Sequence, residues 1–335
     1  MKFLSLLSTL TLLSMGALAQ APEASEPAAE GEPQTTISVD VNELGTITVD
    51  VDVVNILCSV RDKHGGLVSN LSKEDFILSE DNVEQEIKYF ARETDLPLTI
   101  GLLVDVSKSQ ESLIEVERQA AYRFFSEVLR KKDMAFVISF GVDAELLQDF
   151  TGSADLLRDG LEEMRLNAAV GGMTPGTIPQ SNQRGTIMYD AVFLAAEDML
   201  RKEVGRKVIV LISDGVDVGS RISKSRAIEV AQKSDAIIYS IYYADPRYQA
   251  YANGYGDLKK MSQETGGRVF RVTRKNTLEK VFAEIEEEMR SQYSLGFSST
   301  NPEKDGSYRK IKIKTARKGL KVQARKGYYA TRRTP

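Results

Sequence analysis

Along this chain the alternation of apolar and polar positions changes its period twice. From Thr46 to Phe90 apolar residues recur at every second place: Ile47, Val49, Val51 and Val53, then Ile56, Cys58 and Val60. Period two sends successive side chains to opposite faces, so this stretch predicts short strands. Asp62-Lys63-His64-Gly65-Gly66 reads as the turn between two of them, and Ile77 and Ile87 belong to others. From Leu96 to Arg290 the pattern becomes strand, helix, strand, helix. Leu98–Val104 is a nearly unbroken apolar run that stops at Asp105, as in a strand buried on both faces. Leu113, Val116, Ala120, Phe124 and Val128 then recur at helical spacing. Met134–Phe140, Glu145–Phe150, Val208–Ser213, Ala236–Tyr243 and Arg268–Val272 predict further strands. Asp155–Met164, Ile187–Leu200, Lys224–Lys233 and Leu278–Arg290 predict helices.

Such alternation implies an α/β domain over residues 96–290: a doubly wound, mostly parallel sheet with helices on both faces. From Gln292 to Ala330 the period of two returns, in Tyr293–Phe297, Tyr308–Thr315, Leu320–Ala324 and Tyr328-Tyr329. Lys310, Lys312 and Lys314 alternate with Ile311 and Ile313, which reads as one solvated strand face. Neither flank has strands enough for a core of its own. Residues 45–95 and 291–330 are therefore expected to pair into one small β-sandwich, with the α/β domain inserted between them.

The ends and the composition narrow the setting. Lys2, the apolar stretch Phe3–Leu13 and Ala17-Leu18-Ala19 read as a secretory signal peptide over residues 1–19, too short an apolar run to span a membrane. Residues 20–36 carry Pro22, Pro27 and Pro33 with Glu23, Glu26, Glu30 and Glu32, and read as a disordered linker. The protein is thus expected to be exported, periplasmic or extracellular, without a transmembrane span once the leader is removed. A net charge of −4 gives no reason to expect nucleic acid. One Cys (Cys58) and one His (His64) exclude a Cys/His zinc site, an iron–sulfur cluster and an intrachain disulfide. His64 falls in a turn and Cys58 on a half-buried strand, so chemistry must come from oxygen atoms.

Those oxygens cluster. The first buried strand of the α/β region ends in Asp105-Val106-Ser107-Lys108-Ser109; a later one ends at Ser213 and runs into Asp214-Gly215; Gly185-Thr186 precedes the intervening helix. In a doubly wound sheet the binding crevice lies at the carboxyl ends of the strands, where the strand order reverses. If the two Asp-bearing strands flank that point, two carboxylates and three hydroxyls converge. A set of hard oxygens suits Mg²⁺, with Mn²⁺ or Ca²⁺ as substitutes, and leaves positions for water or for an acidic residue from a partner. Asp190 is expected to support the start of its helix, and Asp217 to be a solvated loop charge.

In that order and on those elements, Asp105-x-Ser107-x-Ser109, Thr186 and Asp214-Gly215 resemble the metal-ion-dependent adhesion site of von Willebrand factor type A domains. Glu93–Leu98, Phe136–Phe140, Lys318–Val322 and Arg325–Tyr329 are similar to the secreted, type-A-related proteins frequent in Acidobacteria. The resemblance implies a Rossmann-like type A fold. It also implies metal contact by the two serines, contact by Thr186 directly or through water depending on state, and aspartates acting largely through water. Type A domains that open or close on ligand do so by a shift of their last helix, here Leu278–Arg290.

Two loops are expected to rim the metal: residues 167–184 with Met173, and residues 242–256 with Tyr248, Tyr251 and Tyr255 as contact residues. The expected function is a non-enzymatic binding and adhesion module that captures an Asp or Glu of a protein partner at Mg²⁺. The alternative is an envelope-assembly or scaffold protein whose β-sandwich makes the main contact. A metal-dependent hydrolase is the lesser alternative, since no P-loop, Gly-x-Ser-x-Gly turn or second histidine supplies its machinery.

Overall fold

The computed structural model describes residues 38–39, 47–48, 53–93, 96–167, 185–248 and 253–330; the expected leader, the linker and all of the 167–184 loop but Asn167 lie outside them. The chain divides into Met1–Val51 and Asp52–Pro335. In the first unit β1 (Ser38–Val39) pairs antiparallel with β2 (Ile47–Thr48). Of the first alternating run only Ile47 is in a described strand; Val49 and Val51 lie outside the described residues.

The second unit begins with β3 (Val54–Arg61), β4 (Phe76–Glu80), β5 (Val83–Gln85) and β6 (Ile87–Glu93). It continues through β7 (Leu98–Asp105), α1 (Ile114–Val128), β8 (Met134–Phe140), β9 (Ala144–Thr151), α2 (Ala154–Glu162) and α3 (Met188–Phe193). Then come β10 (Arg206–Ser213), α4 (Lys224–Lys233), β11 (Ala236–Tyr242), α5 (Tyr255–Thr265), β12 (Val269–Arg271) and α6 (Leu278–Arg290). It ends in β13 (Gln292–Phe297), β14 (Tyr308–Thr315), β15 (Lys321–Ala324) and β16 (Gly327–Tyr329).

Six strands form the central sheet in the order β12-β11-β10-β7-β8-β9. All neighbours are parallel except β9, which returns antiparallel along β8. Every residue of β7 and of β11 is buried, because helices cover both faces. One face packs Phe124 and Phe125 of α1, Leu157 and Leu161 of α2 and Phe282 and Ile285 of α6 against Ile100, Leu102 and Val210. The rings of Phe124 and Phe282 stack at 4.5 Å. The other face packs Met188 and Val192 of α3, Ile228 of α4 and Met261 of α5 against Leu103, Ile209 and Leu211. Gly101 of β7 leaves room for the ring of Phe136 on β8: a Cβ there would fall 2.3 Å from it.

The two flanks interleave. One sheet runs β15-β3-β13-β6, in which strands from after and before the α/β domain alternate; the other runs β16-β14-β4-β5, in which they join at the β14–β4 pair. Ile56, Cys58 and Val60 of β3 meet Phe76, Leu78, Tyr293, Leu295, Phe297 and Ile311 between the sheets. Cys58 is a buried thiol whose pKa burial pushes far up, and His64 sits in the exposed turn with its N–H donating to Asp62.

The structure corrects the helix expectations here. Val116 is 43% exposed, and the inner stripe of α1 runs through Glu117, Ala120, Ala121, Phe124 and Val128, so a glutamate holds a place read as outward. Helix α5 was not anticipated, and beyond α3 the chain continues into a π-helical turn, Leu194–Leu200.

Glu288 near the end of α6 joins sandwich to α/β domain. Its side chain is fully buried and accepts from Ser59 Oγ at 3.0 Å, Arg61 Nη2 at 2.5 Å and Arg268 Nε at 2.8 Å. Two residues on, Arg290 donates to the Val128 carbonyl at 2.8 Å and pairs with Asp133 at 2.5 Å. Breaking a buried ion pair from one side strands the remaining charges. Glu288→Ala is expected to lower stability by about 3–5 kcal/mol in urea unfolding, with Arg61→Ala losing less because Arg268 still pairs; a Glu288→Ala midpoint equal to wild type would contradict this.

Candidate functional site

Chain direction fixes where a crevice forms. From β7 the chain goes through α1 to β8 on one side; from β10 it goes through α4 to β11 on the other. Strands β7 and β10 are direct parallel neighbours, so the order reverses between them and their carboxyl ends flank the opening. Asp105 is the last residue of β7 and Asp214 directly follows β10.

Asp105 is fully buried. Its Oδ1 accepts from the Ser107 N–H at 3.0 Å and its Oδ2 from the Ser213 hydroxyl at 2.6 Å. The Gly215 N–H donates to the same Ser213 Oγ at 2.9 Å, so one hydroxyl couples the two acidic turns. Ser107 Oγ and Ser109 Oγ share a hydrogen bond at 3.2 Å. Asp214 is buried and its Oδ1 accepts from the Val216 N–H at 3.0 Å.

Thr186 is brought alongside by main-chain bonds. The Ile187 N–H donates to the Gly141 carbonyl at 2.9 Å just past β8, and the Val218 N–H donates to the Thr186 carbonyl at 3.0 Å just past Asp214. Gly185 permits that approach: a Cβ there would lie 1.8 Å from the Val218 carbonyl oxygen. The structure thus gathers Asp105, Ser107, Ser109 and Asp214 at one sheet edge and stitches the Thr186 segment between its neighbours.

Burial, reinforced by the charge of Asp214, pushes the Asp105 carboxyl up to about 7, although hydrogen bonds from Ser107 and Ser213 pull the other way. Two carboxylates held this way call for a positive charge between or beside them. Among the described residues no three His, Cys, Asp or Glu side chains converge on a point, so carboxylates alone do not complete a coordination sphere here. The donor set of two carboxylates with neighbouring hydroxyls nevertheless fits a hard divalent cation that keeps water in its remaining positions.

Other residues act differently from their expected roles. Asp190 accepts through its side chain from the Arg221 and Ile222 N–H groups at 3.0 and 3.1 Å, holding the loop after Asp214 rather than its own helix start. Asp217, expected in solvent, accepts from the Tyr189 N–H at the start of α3 at 3.0 Å and from Ser220 Oγ at 2.5 Å. Of the rim residues, Met173 and Tyr251 lie outside the described residues. Tyr248 is half-buried, with the Arg247 guanidinium 5.8 Å from its ring centroid. Tyr255 opens α5, packs edge-on to Tyr242 at 5.5 Å and lies under Arg271, so its ring is already engaged.

Three polar residues near the site were missed: Ser213, Gln110 and Glu117. Gln110 is fully buried and donates to the Tyr243 carbonyl at 3.2 Å, tying the turn after Ser109 to the end of β11. Among the described residues nothing bonds its Oε1 or either carboxyl oxygen of Glu117, which is also fully buried.

No family model and no curated protein matches the chain. Among solved structures it is similar to the vWF domain of the type V pili tip protein Mfa5 from Porphyromonas gingivalis, with TM-score 0.45 and 13% identity over 58% of this chain and 95% of that one. It is also similar to the conserved hypothetical protein BatB from Bacteroides thetaiotaomicron, with TM-score 0.42 and 16% identity over 58% and 97%. A third is proximal thread matrix protein 1 from the mussel byssus with a zinc-occupied MIDAS motif, with TM-score 0.44 and 12% identity over 60% of this chain and 50% of that one.

Glu117 yields a pH test. Burial first, then the charge of Asp105, raise its carboxyl well above the usual range. The folded state therefore holds a proton that the unfolded chain releases near ~4.3, and Glu117's contribution to stability falls as pH rises toward its folded value. Glu117→Gln cannot ionise, so its urea midpoint is expected to gain on wild type steadily between about pH 5 and pH 8. A difference that does not vary with pH would contradict the raised value.

Proposed function

We propose that this chain is an exported binding module that holds Mg²⁺ at the sheet edge through Asp105, Ser107, Ser109, Thr186 and Asp214 and there captures an Asp or Glu presented by a protein partner. The observation that carries the reading is the burial of Asp105 beside Asp214 at the point where strand order reverses. When bound, the cation would supply a positive charge with open positions for a partner's carboxylate oxygen. The chain's own groups prepare that place. Ser213 holds the Asp105 carboxylate in one rotamer, Gln110 pins the turn after Ser109 to Tyr243, and Asp217 fixes the start of α3 behind Thr186.

The same arrangement favours binding over turnover. Both Asp105 oxygens already accept hydrogen bonds, the two serines of the turn face each other, and His64 lies in a sandwich turn. None is poised as a general base or an activated nucleophile. Export rests on the leader-like segment before residue 20; no helix among the described residues is long and apolar enough to cross a membrane.

The test pairs metal with partner. In thermal or urea unfolding, Mg²⁺ at ~100-fold over its Kd should stabilise the wild type by about 2.7 kcal/mol, and Asp105→Ala should abolish that gain while its circular dichroism stays native. Capture of protein from envelope extract should require Mg²⁺, fail in EDTA and fail with Asp105→Ala. Equal capture with and without EDTA by a folded protein would overturn the reading.

A further inference from the structure

Lys310, Lys312 and Lys314 all point to solvent from β14, while Ile311 and Ile313 pack toward the sandwich core. Alternate residues on a strand are ~6.7 Å apart, so the three stems form a regular row. A lysine row usually protects an exposed sheet edge. Here β4 covers one side of Ile311–Thr315 and β16 covers the other only over Tyr308–Lys310, so edge protection accounts for Lys312 and Lys314 on the open stretch but not for Lys310, which pairs with Gly327.

The row borders a groove of about 500 Å³. Lys310, Lys312 and Lys326 line it above a floor that includes Ile313 and Val322, and Glu264 is the acidic residue on its wall. The arginine there, Arg325, is already paired with Asp235, whereas Lys310, Lys312 and Lys326 make no ion pair with a described residue. Val322 and Ala324 belong to β15, which among the described strands pairs with β3 alone; its far end meets the turn after α5, where the Lys326 N–H donates to the Glu264 carbonyl at 3.2 Å. The lining is one-sided in charge: Lys310, Lys312, Arg325 and Lys326 against Glu264.

We propose that this groove docks an extended acidic peptide segment of a partner protein, lying along the open edge of β15 with carboxylates at alternate residues on Lys310, Lys312 and Lys326. An extended peptide repeats its side chains with the same period as Lys310 and Lys312, so two acids on one face meet those two ammonium groups while a third reaches Lys326 in the β15–β16 turn. The open edge of β15 offers main-chain donors and acceptors that a polypeptide can match and a phosphate polymer cannot. Flexible lysines, rather than forked arginines, suit a row of single carboxylates over bidentate pairs.

The test uses the full chain and a fluorescent peptide of about eight residues with Glu and Thr alternating, read by anisotropy at about 50 mM salt. Lys310→Glu/Lys312→Glu should weaken binding by about tenfold or more, and Lys310→Gln/Lys312→Gln by less. Lys131→Glu/Lys132→Glu, an equal charge change at an exposed turn of the α/β domain, should leave binding within about twofold. A peptide of the same composition with its Glu in one block should bind more weakly. Binding should persist in EDTA and with Asp105→Ala, which separates this groove from the metal site. Equal loss in the Lys131/Lys132 control, loss in EDTA, or tight binding of inorganic polyphosphate or phosphatidylserine vesicles without binding of the alternating peptide would overturn the proposal.

Discussion

Two buried carboxylates at the ends of adjacent parallel strands are the constraint on which the rest of the site depends. Because β7 and β10 are neighbours and leave the sheet in opposite senses, Asp105 and Asp214 are held beside one opening. Burial removes the water that would separate their charges, and the Asp105 carboxyl rises to about 7. The surrounding groups fix the carboxylate in place without neutralising it: a serine hydroxyl and a main-chain N–H orient its oxygens but bring no full positive charge. An arrangement that orients two acids and leaves their charge uncompensated is suited to a cation, and an ordinary structural ion pair would look different. The contrast lies within this chain: buried Glu80 is matched directly by buried Arg309.

A site of this kind needs a rigid frame, and the frame here extends beyond the α/β domain. Helix α6 runs without a linker into β13, which is inserted between β3 and β6. Glu288 and Arg290 lock the end of that helix to residues of β3, to Arg268 and to Asp133. The type A resemblance implies a last helix that travels along the domain. In this chain such travel would have to break the ion pairs of the fully buried Glu288 at the helix end, so movement is opposed where α6 meets the sandwich. The opposite end, near Leu278, carries no comparable clamp among the described contacts. Any adjustment would therefore be taken up by bending or local refolding there rather than by a rigid slide.

How much of this was legible in the sequence depended on whether burial alone decided a position. The runs ending at Asp105 and Ser213 read correctly because the middle of a strand covered on both faces is almost wholly apolar, here Ile100–Val104 and Val208–Ile212. The acidic turns that follow could then be placed at one edge from topology rules. Helix α5 escaped because its inner face uses Ser262 and Thr265, whose hydroxyls bond Ser240 Oγ and the Ile238 N–H, so polar residues occupy core positions. Glu117 and Glu288 escaped for the same reason in sharper form. Each is a glutamate on a helix rich in charge, and nothing local distinguishes it from its solvated neighbours Glu115 or Glu287. Asp217 took the helix-start role expected of Asp190, and Asp190 holds the loop instead, because the loop after Asp214 folds back on α3, a contact between segments about 30 residues apart that no local pattern records.

The distribution of charge bears on how such a protein chooses its partners. The whole chain is net negative, yet both surfaces proposed to bind are built for anions: a cation at the sheet edge and a lysine row on β14. The bulk charge does not defeat this, because at physiological ionic strength it is screened beyond about 8 Å. A carboxylate approaching either place feels chiefly the local field. Net negative charge then works as selection: it disfavours nonspecific contact with other acidic proteins and leaves two local exceptions. The exceptions also differ in kind. The sheet edge can accept one carboxylate with coordination geometry to satisfy, whereas the β14 groove rewards a repeat of carboxylates in extended backbone. A partner carrying only a single exposed acid would satisfy the first and gain nothing from the second, so the two surfaces discriminate on different features of an acidic protein.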